Sequence, residues 1–135
     1  MKYKYKAQVR WGDLDAMGHV NNANYLTYAQ EARFEWSFFQ HHAKGELPGV
    51  MEMVVARAEV DFKKPIKIGG FFVDVELWVS RLGNSSFDMV YEIRHNGDLC
   101  ALVKTVQVAV DETVSKSRPL TEDERKFIEK YLIKE

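Results

Sequence analysis

Three segments in the middle of the chain alternate between apolar and polar residues, which is the pattern of strands with one buried face. They cover residues 54–62, 73–79 and 87–93. Asn96-Gly97 follows the third segment and suits the positive φ angles of a tight type I′ turn, so the apolar run after it is predicted to pair antiparallel with that segment. Residues 3–10 add a first strand. The pattern predicts a mostly antiparallel sheet of about five strands.

The apolar positions of each alternating segment are expected to face the core. They are Val54, Ala56, Ala58, Val60 and Phe62 in the first segment, Val73, Val75, Leu77 and Val79 in the second, and Phe87, Met89, Tyr91 and Ile93 in the third.

Helical spacing replaces the alternation from about residue 24 to residue 43. The residues that recur at this spacing are Tyr25, Tyr28, Ala29, Ala32, Trp36 and Phe39. Leu26, Phe34 and Phe38 widen the apolar surface, so we expect the sheet to wrap this helix. The charged residues Glu31, Arg33 and Glu35 then need either water or a partner.

The order of strand, loop, long helix and four further strands is the layout of a hotdog fold, an α+β architecture in which a curled sheet wraps one central helix. A second, amphipathic helix is predicted at the C-terminal end, because Thr121 and Glu124 form a capping box before an apolar stripe. At 135 residues, the chain has the length of one domain, which we take to span residues 1–135.

Net charge and composition narrow the classes of partner. The formal net charge of −1 disfavours nucleic acid and anionic membrane surfaces. The N-terminal segment has no apolar signal region, and no later run approaches the length of a membrane span. Cys100 is the only cysteine, which fits a reducing compartment. We expect a cytoplasmic protein.

The loop before the helix carries the candidate chemistry. Asn21 or Asn22 is a natural N-cap, and the first backbone N–H groups of the helix have no intrahelical acceptor, so they can stabilise a negatively charged oxygen. Gly18 allows a tight bend or a close approach to a ligand. Asp15 lies near enough in sequence to stand beside these donors. The combination is a nucleophile or base next to an oxyanion hole.

A family resemblance is carried by the same loop. The stretch D-L-D-A-M-G-H-V-N-N-A-N-Y, residues 13–25, together with Glu31-Ala32-Arg33, resembles the signature of the 4-hydroxybenzoyl-CoA thioesterase family, whose members are hotdog-fold acyl-CoA thioesterases. The resemblance implies that Asp15 attacks the thioester or activates water. It also implies that Asn22 supplies the N–H that polarises the thioester carbonyl.

The resemblance also implies an active site at a dimer interface and basic residues that meet the phosphates of CoA. Candidates for the basic residues are Lys63, Lys64, Lys67 and Arg81. Some members of the family have histidine where this chain has Asn22, whereas its own His19 lies earlier in the loop.

Each candidate has a structural alternative. Asp13 and Asp15 are residue types that accept local backbone hydrogen bonds in turns, and this is the role we expect for Asp13. His19 either packs against the start of the helix or helps to position the site residues without contacting the substrate. Tyr25 either lines an acyl-binding cavity or simply packs in the core. Lys63 and its neighbours are also typical of a solvated strand end.

No metal or cofactor is implied, because the four histidines and Cys100 do not fall into a metal-ligand spacing. The sequence therefore predicts a cofactor-independent acyl-CoA thioesterase. The alternative is a hotdog module that binds acyl thioesters or a protein partner without turnover. A curled sheet of this size leaves an unpaired edge, so we expect a homodimer, or a homotetramer built from two dimers, formed by edge pairing.

Overall fold

Six strands, a short 3-10 helix at Trp11–Asp13 and two longer helical regions build the chain in the computed structural model, which describes residues 1–134. The strands are Tyr3–Val9 (β1), Met53–Phe62 (β2), Phe71–Leu82 (β3), Ser86–His95 (β4), Asp98–Asp111 (β5) and Lys116–Ser117 (β6). They form one antiparallel sheet in the order β1-β3-β4-β5-β2, and the two-residue β6 pairs with β5. The predicted curled antiparallel sheet is confirmed, with β6 as an additional short strand.

A continuous helix of three segments crosses the concave face of the sheet. It consists of Asn22–Phe34 (α1), a π-helical turn at Glu35–Phe39 and a last α-helical turn at Gln40–Ala43 (α2). This confirms the predicted central helix, which begins two residues earlier than expected. No helix within residues 1–134 is long and apolar enough to cross a membrane.

The C-terminal helix, Glu122–Glu129 (α3), begins at the predicted capping box. The Thr121 side chain accepts from the Glu124 backbone N–H at 3.1 Å, and the Glu124 carboxylate accepts from the Thr121 N–H at 2.8 Å. Phe127 of α3 packs against Trp36, with ring centroids 4.7 Å apart. The helix therefore closes one end of the core.

The core lies between the central helix and the concave faces of β3 and β4. The predicted inward residues of these two strands, from Val73 to Val79 and from Phe87 to Ile93, are all fully buried. The hairpin between β4 and β5 turns at Asn96 and Gly97, with φ angles of 50° and 82°. Those are the positive values that a type I′ turn requires.

Strand β2 departs from the prediction, because most of its expected inward residues are exposed. Of these five residues, Val60 alone is partly buried. A β-bulge between Val55 and Arg57 adds one residue, so Val55 faces the helix side and Val54 faces outward. The sequence alternation continued through the bulge and therefore gave the wrong face for the first part of the strand. Exposure of β2 follows from its position at the end of the strand order.

The central helix is also less completely wrapped than predicted. Leu26 and Phe34 are both 38% exposed. Strand β2 contacts the helix through the Phe62 and Tyr25 rings, and its inward residues Val55 and Phe62 are 43% and 49% exposed. We call this exposed surface, formed by Leu26, Phe34, Val55, Ala58 and Phe62, the open flank. Phe39, expected in the apolar stripe of the helix, is 49% exposed as well.

Candidate active site

The loop between β1 and the central helix forms a small closed structure with Asp15 at its base. Leu14 and Val20 pair as an isolated antiparallel bridge. The Asp15 N–H donates to the His19 carbonyl at 2.8 Å, and the Gly18 N–H donates to the Asp15 carbonyl at 3.0 Å. Gly18 has a φ of 73°, a conformation that favours glycine. The glycine therefore provides the tight bend that the sequence suggested.

The Asp15 side chain is exposed and bonds only to the backbone of its own loop. Its Oδ1 accepts from the Met17 N–H at 2.9 Å and from the His19 N–H at 3.4 Å. Its Oδ2 accepts no hydrogen bond within residues 1–134. One carboxylate oxygen is thus fixed by the loop, and the other is available to a ligand.

Asn21 is the N-cap of the central helix, one of the two positions the sequence allowed. Its side-chain oxygen accepts from the Ala23 N–H at 3.0 Å, and its carbonyl accepts from the Asn24 N–H at 2.9 Å. The N–H of Asn22 has no acceptor in the described part of the chain. Capping therefore leaves one exposed backbone donor at the positive end of the helix dipole.

Asp13 has a different environment, although it lies only two residues before Asp15. It is 2% exposed, and its carboxylate accepts from the Arg10 backbone N–H at 3.0 Å and from the Tyr28 hydroxyl at 2.8 Å. The Arg10 guanidinium also donates to it at 3.0 Å. Burial alone would raise the pKa of Asp13, but these bonds outweigh burial and lower it.

The Asp13 backbone also ties the loop to the helix. Its carbonyl accepts from the Asn21 N–H at 2.8 Å and from the Asn24 side-chain amide at 3.1 Å. A second hydrogen bond ties the loop to the segment before β3: the Val20 N–H donates to the Ile66 carbonyl at 2.8 Å. The start of the helix is therefore held in place from two sides.

Two further candidates lie beside the loop. The His19 ring is partly buried and makes no side-chain hydrogen bond within residues 1–134, so the structure assigns only its backbone to the Asp15 loop. Tyr25 is 3% exposed, and its ring centroid lies 5.3 Å from that of Phe62. Burial raises the pKa of Tyr25. Tyr25 therefore packs in the core at the edge of the open flank.

The basic candidates do not form one cluster. Lys64 pairs with Asp98 at 2.6 Å, and Arg81 pairs with Asp88 at 2.8 Å. Asp98 is opposite His95, so the two ion pairs are seven positions apart along β4, or roughly 23 Å. Arg81 is thus at the far end of the sheet, and the four basic candidates do not come together at one place within one chain.

Lys63 and Lys67 lie near the Asp15 loop and have no carboxylate partner in residues 1–134. Both are exposed, and they flank Ile66, whose carbonyl anchors Val20. No group of three or more His, Cys, Asp or Glu side chains within residues 1–134 is arranged to hold a metal ion. Cys100 is buried, and burial raises the pKa of its thiol, as expected for an inert cysteine.

The sequence did not single out two polar partners of the core. They are the hydroxyls of Tyr28 and Tyr91, both predicted only as core residues. The Tyr28 hydroxyl donates to Asp13, and the Tyr91 hydroxyl accepts from Arg33 at 3.0 Å. The available signal was the choice of tyrosine over phenylalanine at buried positions, since a buried hydroxyl normally has a partner.

Comparison with known proteins places this geometry in a family. The model of the Thioesterase-like superfamily matches residues 9–128, which include the loop, the central helix and strands β2 to β6. The chain belongs to the Thioesterase-like superfamily. This membership confirms the predicted class, a thioester hydrolase with a hotdog fold.

Two proteins named as a thioesterase and as a CoA hydrolase resemble the chain over most of its length. A thioesterase from Thermus thermophilus, solved in complex with coenzyme A and zinc, is 34% identical and covers 95% of this chain and 92% of its own, with a TM-score of 0.78. A 1,4-dihydroxy-2-naphthoyl-CoA hydrolase from Synechococcus elongatus is 28% identical over 89% of this chain and 90% of its own.

The fold alone is shared with a Bacillus stearothermophilus protein described as a predicted thioesterase. It is 24% identical, has a TM-score of 0.85 and covers 100% of this chain and 99% of its own.

Proposed function

We propose that the chain hydrolyses acyl-CoA thioesters, with Asp15 as nucleophile or general base and the Asn22 N–H as oxyanion donor. The observation that carries the proposal is the pairing of a carboxylate with one uncommitted oxygen and a capped helix that leaves one N–H free. The similar proteins named for CoA thioester hydrolysis support the choice of substrate.

Two routes fit these groups. In the first, an Asp15 oxygen attacks the thioester carbonyl, CoA leaves as the thiolate, and water hydrolyses the resulting acyl-aspartyl anhydride. In the second, Asp15 takes a proton from a water molecule that attacks the same carbon, and the tetrahedral intermediate expels the thiolate. In both routes the Asn22 N–H stabilises the negative oxygen of the intermediate.

The supporting residues have distinct roles. Gly18 bends the loop, and the backbone of His19 fixes Asp15 through two hydrogen bonds. Lys63 and Lys67 are the basic residues best placed for the CoA phosphates, because neither has a carboxylate partner in residues 1–134. Lys64 is less available because its ammonium donates a hydrogen bond to Asp98 at 2.6 Å.

A second copy of the chain completes the site. Asp15 is exposed, and the open flank beside it is apolar, whereas a reacting thioester is better served by a site that excludes water. The two sheet edges also differ. Strand β1 carries Lys4 and Lys6, which pair with Glu76 and Asp74 of β3 and are the kind of charged residue that protects an edge. Strand β2 has an exposed apolar inner face. Pairing through β2 would cover the flank.

Thiol release from a panel of acyl-CoA substrates tests the proposed reaction. Hydrolysis of at least one acyl-CoA well above the rate without protein is the expected result. If the protein binds acyl-CoA, as measured by calorimetry, and releases no thiol from any substrate, the chain is a binding module and the proposed reaction is wrong.

Light scattering tests the assembly with a matched pair of variants. The wild type should have at least twice the 15.7 kDa mass of one chain. Val55→Lys puts a charge on the open flank and should yield monomers, whereas Val54→Lys, on the outer face of β2, should keep the β2-paired dimer. A stable and active wild-type monomer at micromolar concentration would contradict the proposed assembly.

A further inference from the structure

Arg33 is a buried cation on the helix side that faces β4 and β5. It is 7% exposed, and its Nη1 donates to the Tyr91 hydroxyl at 3.0 Å. That hydroxyl lies 2.8 Å from the Thr105 hydroxyl oxygen. Two neutral hydroxyls therefore fix the position of the guanidinium without neutralising its charge.

No carboxylate oxygen within residues 1–134 forms an ion pair with Arg33. The nearest acidic residues along the helix, Glu31 and Glu35, lie on the opposite side, toward β1. There, burial and then the charge of Glu31 raise the pKa of Tyr5, and burial with the charge of Glu35 raises the pKa of Tyr3 to about 12. The charge of Arg33 therefore has no counter-ion in the described chain.

A buried charge without a counter-ion is unfavourable, so the chain should gain from an acceptor that comes from outside. The Phe34 ring, 6.0 Å from the guanidinium carbon, offers only a weak cation–π contact. The Nε and Nη2 of Arg33 make no hydrogen bond within residues 1–134, and neither is among the fully buried unpaired atoms. These two donors remain reachable.

The donors lie next to the open flank. Thr105 is opposite Ala58 of β2, which is small and exposed. Arg33 follows Asn22 by eleven positions, so their Cα atoms are about 16 Å apart along the helix. A long helical side chain leans toward the N-terminus, which shortens this span. The remaining distance suits a medium-length acyl group.

We propose that Arg33 determines substrate specificity by binding a carboxylate at the far end of the acyl group. The inference rests on the proposed function, because it places the thioester carbonyl at Asp15 and Asn22. A carboxylate matches the two free nitrogens as a bidentate acceptor and supplies the missing negative charge. The favoured substrates are then CoA monothioesters of dicarboxylic acids.

Matched pairs of acyl-CoA substrates test this specificity. Each pair has one chain length, of about six, eight or ten carbons, and differs only in a terminal carboxylate instead of a methyl group. The wild type should have the higher kcat/KM for the carboxylated member of at least one pair. Arg33→Met should lower the ratio of the two kcat/KM values about ten- to a hundredfold.

Two further variants keep the test decisive. Arg33→Gln retains polarity if Arg33→Met unfolds, and should lower the same ratio. Arg57→Met removes an exposed cation on the outer face of β2 and should leave the ratio unchanged. A wild type without preference for any carboxylated substrate would overturn the inference. So would an Arg33→Met variant that dissociates in light scattering with an unchanged ratio, since a carboxylate of the second copy would then be the partner.

The inference can fail independently of the proposed reaction. Free dicarboxylic and monocarboxylic acids of equal length should differ in how much they raise the melting temperature of the wild type, and Arg33→Met should abolish that difference. If thiol release occurs but the two acids behave alike, the Arg33 assignment is wrong while the thioesterase proposal stands. If the acids differ but no thiol is released, the proposed reaction is wrong and the Arg33 site stands.

Discussion

Asp13 and Asp15 lie two positions apart in one loop and have opposite surroundings. Asp13 is buried, and its carboxylate accepts hydrogen bonds from Arg10 and Tyr28. Asp15 is exposed, and within residues 1–134 its carboxylate accepts only from two N–H groups of the loop. Both oxygens of the Asp13 carboxylate accept structural hydrogen bonds, whereas one oxygen of Asp15 is available to a ligand.

The difference shows how two aspartates of one motif can have different roles, one structural and one chemical. A carboxylate with all its acceptor positions in use can hold a loop against a helix but has little capacity left to attack or to accept a proton. A carboxylate fixed through one oxygen is oriented and still has an oxygen free. We therefore expect changes at Asp13 to reduce stability and changes at Asp15 to reduce turnover.

The largest effect is expected for Asp15→Asn. The change keeps the size of the side chain and its capacity to accept from the Met17 N–H, but it removes the charge that attacks or activates water. Turnover should fall on the order of a hundredfold to ten-thousandfold, with little change in melting temperature. Steady-state release of CoA thiol and thermal unfolding measure the two quantities.

Asp13→Asn is the internal control for this experiment and should retain more activity per folded molecule than Asp15→Asn. Near wild-type turnover of Asp15→Asn would refute its catalytic assignment. Glu31 and Glu35 on the central helix would then be the next carboxylates to test.

The second effect is a loss of stability in Asp13→Asn. The new amide presents donors to Arg10 and Tyr28, which are themselves donors, inside a buried site. We expect the free energy of unfolding to fall by about 1–3 kcal/mol and the melting temperature by several degrees. Tyr28→Phe, which removes one of these bonds, should cost less. Equal stability of Asp13→Asn and wild type in urea unfolding would show that the buried bonds contribute nothing net.

The third effect is a pH dependence that only Asp13 should produce. Its pKa is lowered in the folded state, so its contribution to stability is present above the ordinary pKa of aspartate, about 3.9, and is lost as the pH falls from there through the lower folded pKa. Asp13→Asn should lose less stability than wild type over this acidic range. Parallel curves for the two proteins would contradict the assignment.

A smaller effect is expected at the basic residues near the loop. Replacing Lys63 or Lys67 with Gln should raise KM for acyl-CoA roughly two- to fivefold each, as expected for exposed charges, and should have no such effect on an acyl-pantetheine substrate without the nucleotide phosphates. Arg81→Gln is the control, because Arg81 pairs with Asp88 at the far end of the sheet. An equal rise in KM for Arg81→Gln would place the phosphates elsewhere.

The smallest expected effect is that of metal removal. If a carboxylate and a backbone N–H carry out the reaction, thiol release should survive exhaustive dialysis against EDTA. The Thermus thermophilus thioesterase was solved with zinc, so the measurement is informative. Activity that disappears with EDTA and returns with zinc would show that a metal takes over part of the role given to Asp15.

The sequence predicted those elements whose pattern is local. Alternation identified β3 and β4 with their inward faces, the Asn96-Gly97 pair identified the hairpin between β4 and β5, and a capping box identified the start of α3. Turn conformation and side-chain alternation depend on neighbouring residues, so one sequence is sufficient. The Asp15 loop was identified in the same way, from residue types and a motif.

Tertiary structure decided the features that depend on residues distant in sequence. The bulge after Val55 and the terminal position of β2 leave its inner face exposed, and neither follows from the alternation itself. The sequence placed Asp13 and Asp15 in one motif, but only the fold brought Tyr28 onto Asp13. It likewise brought Tyr91 onto Arg33 and separated Arg81 from the lysines. Burial and pairing are properties of contacts between distant segments, whereas periodicity records only which face of an element is apolar.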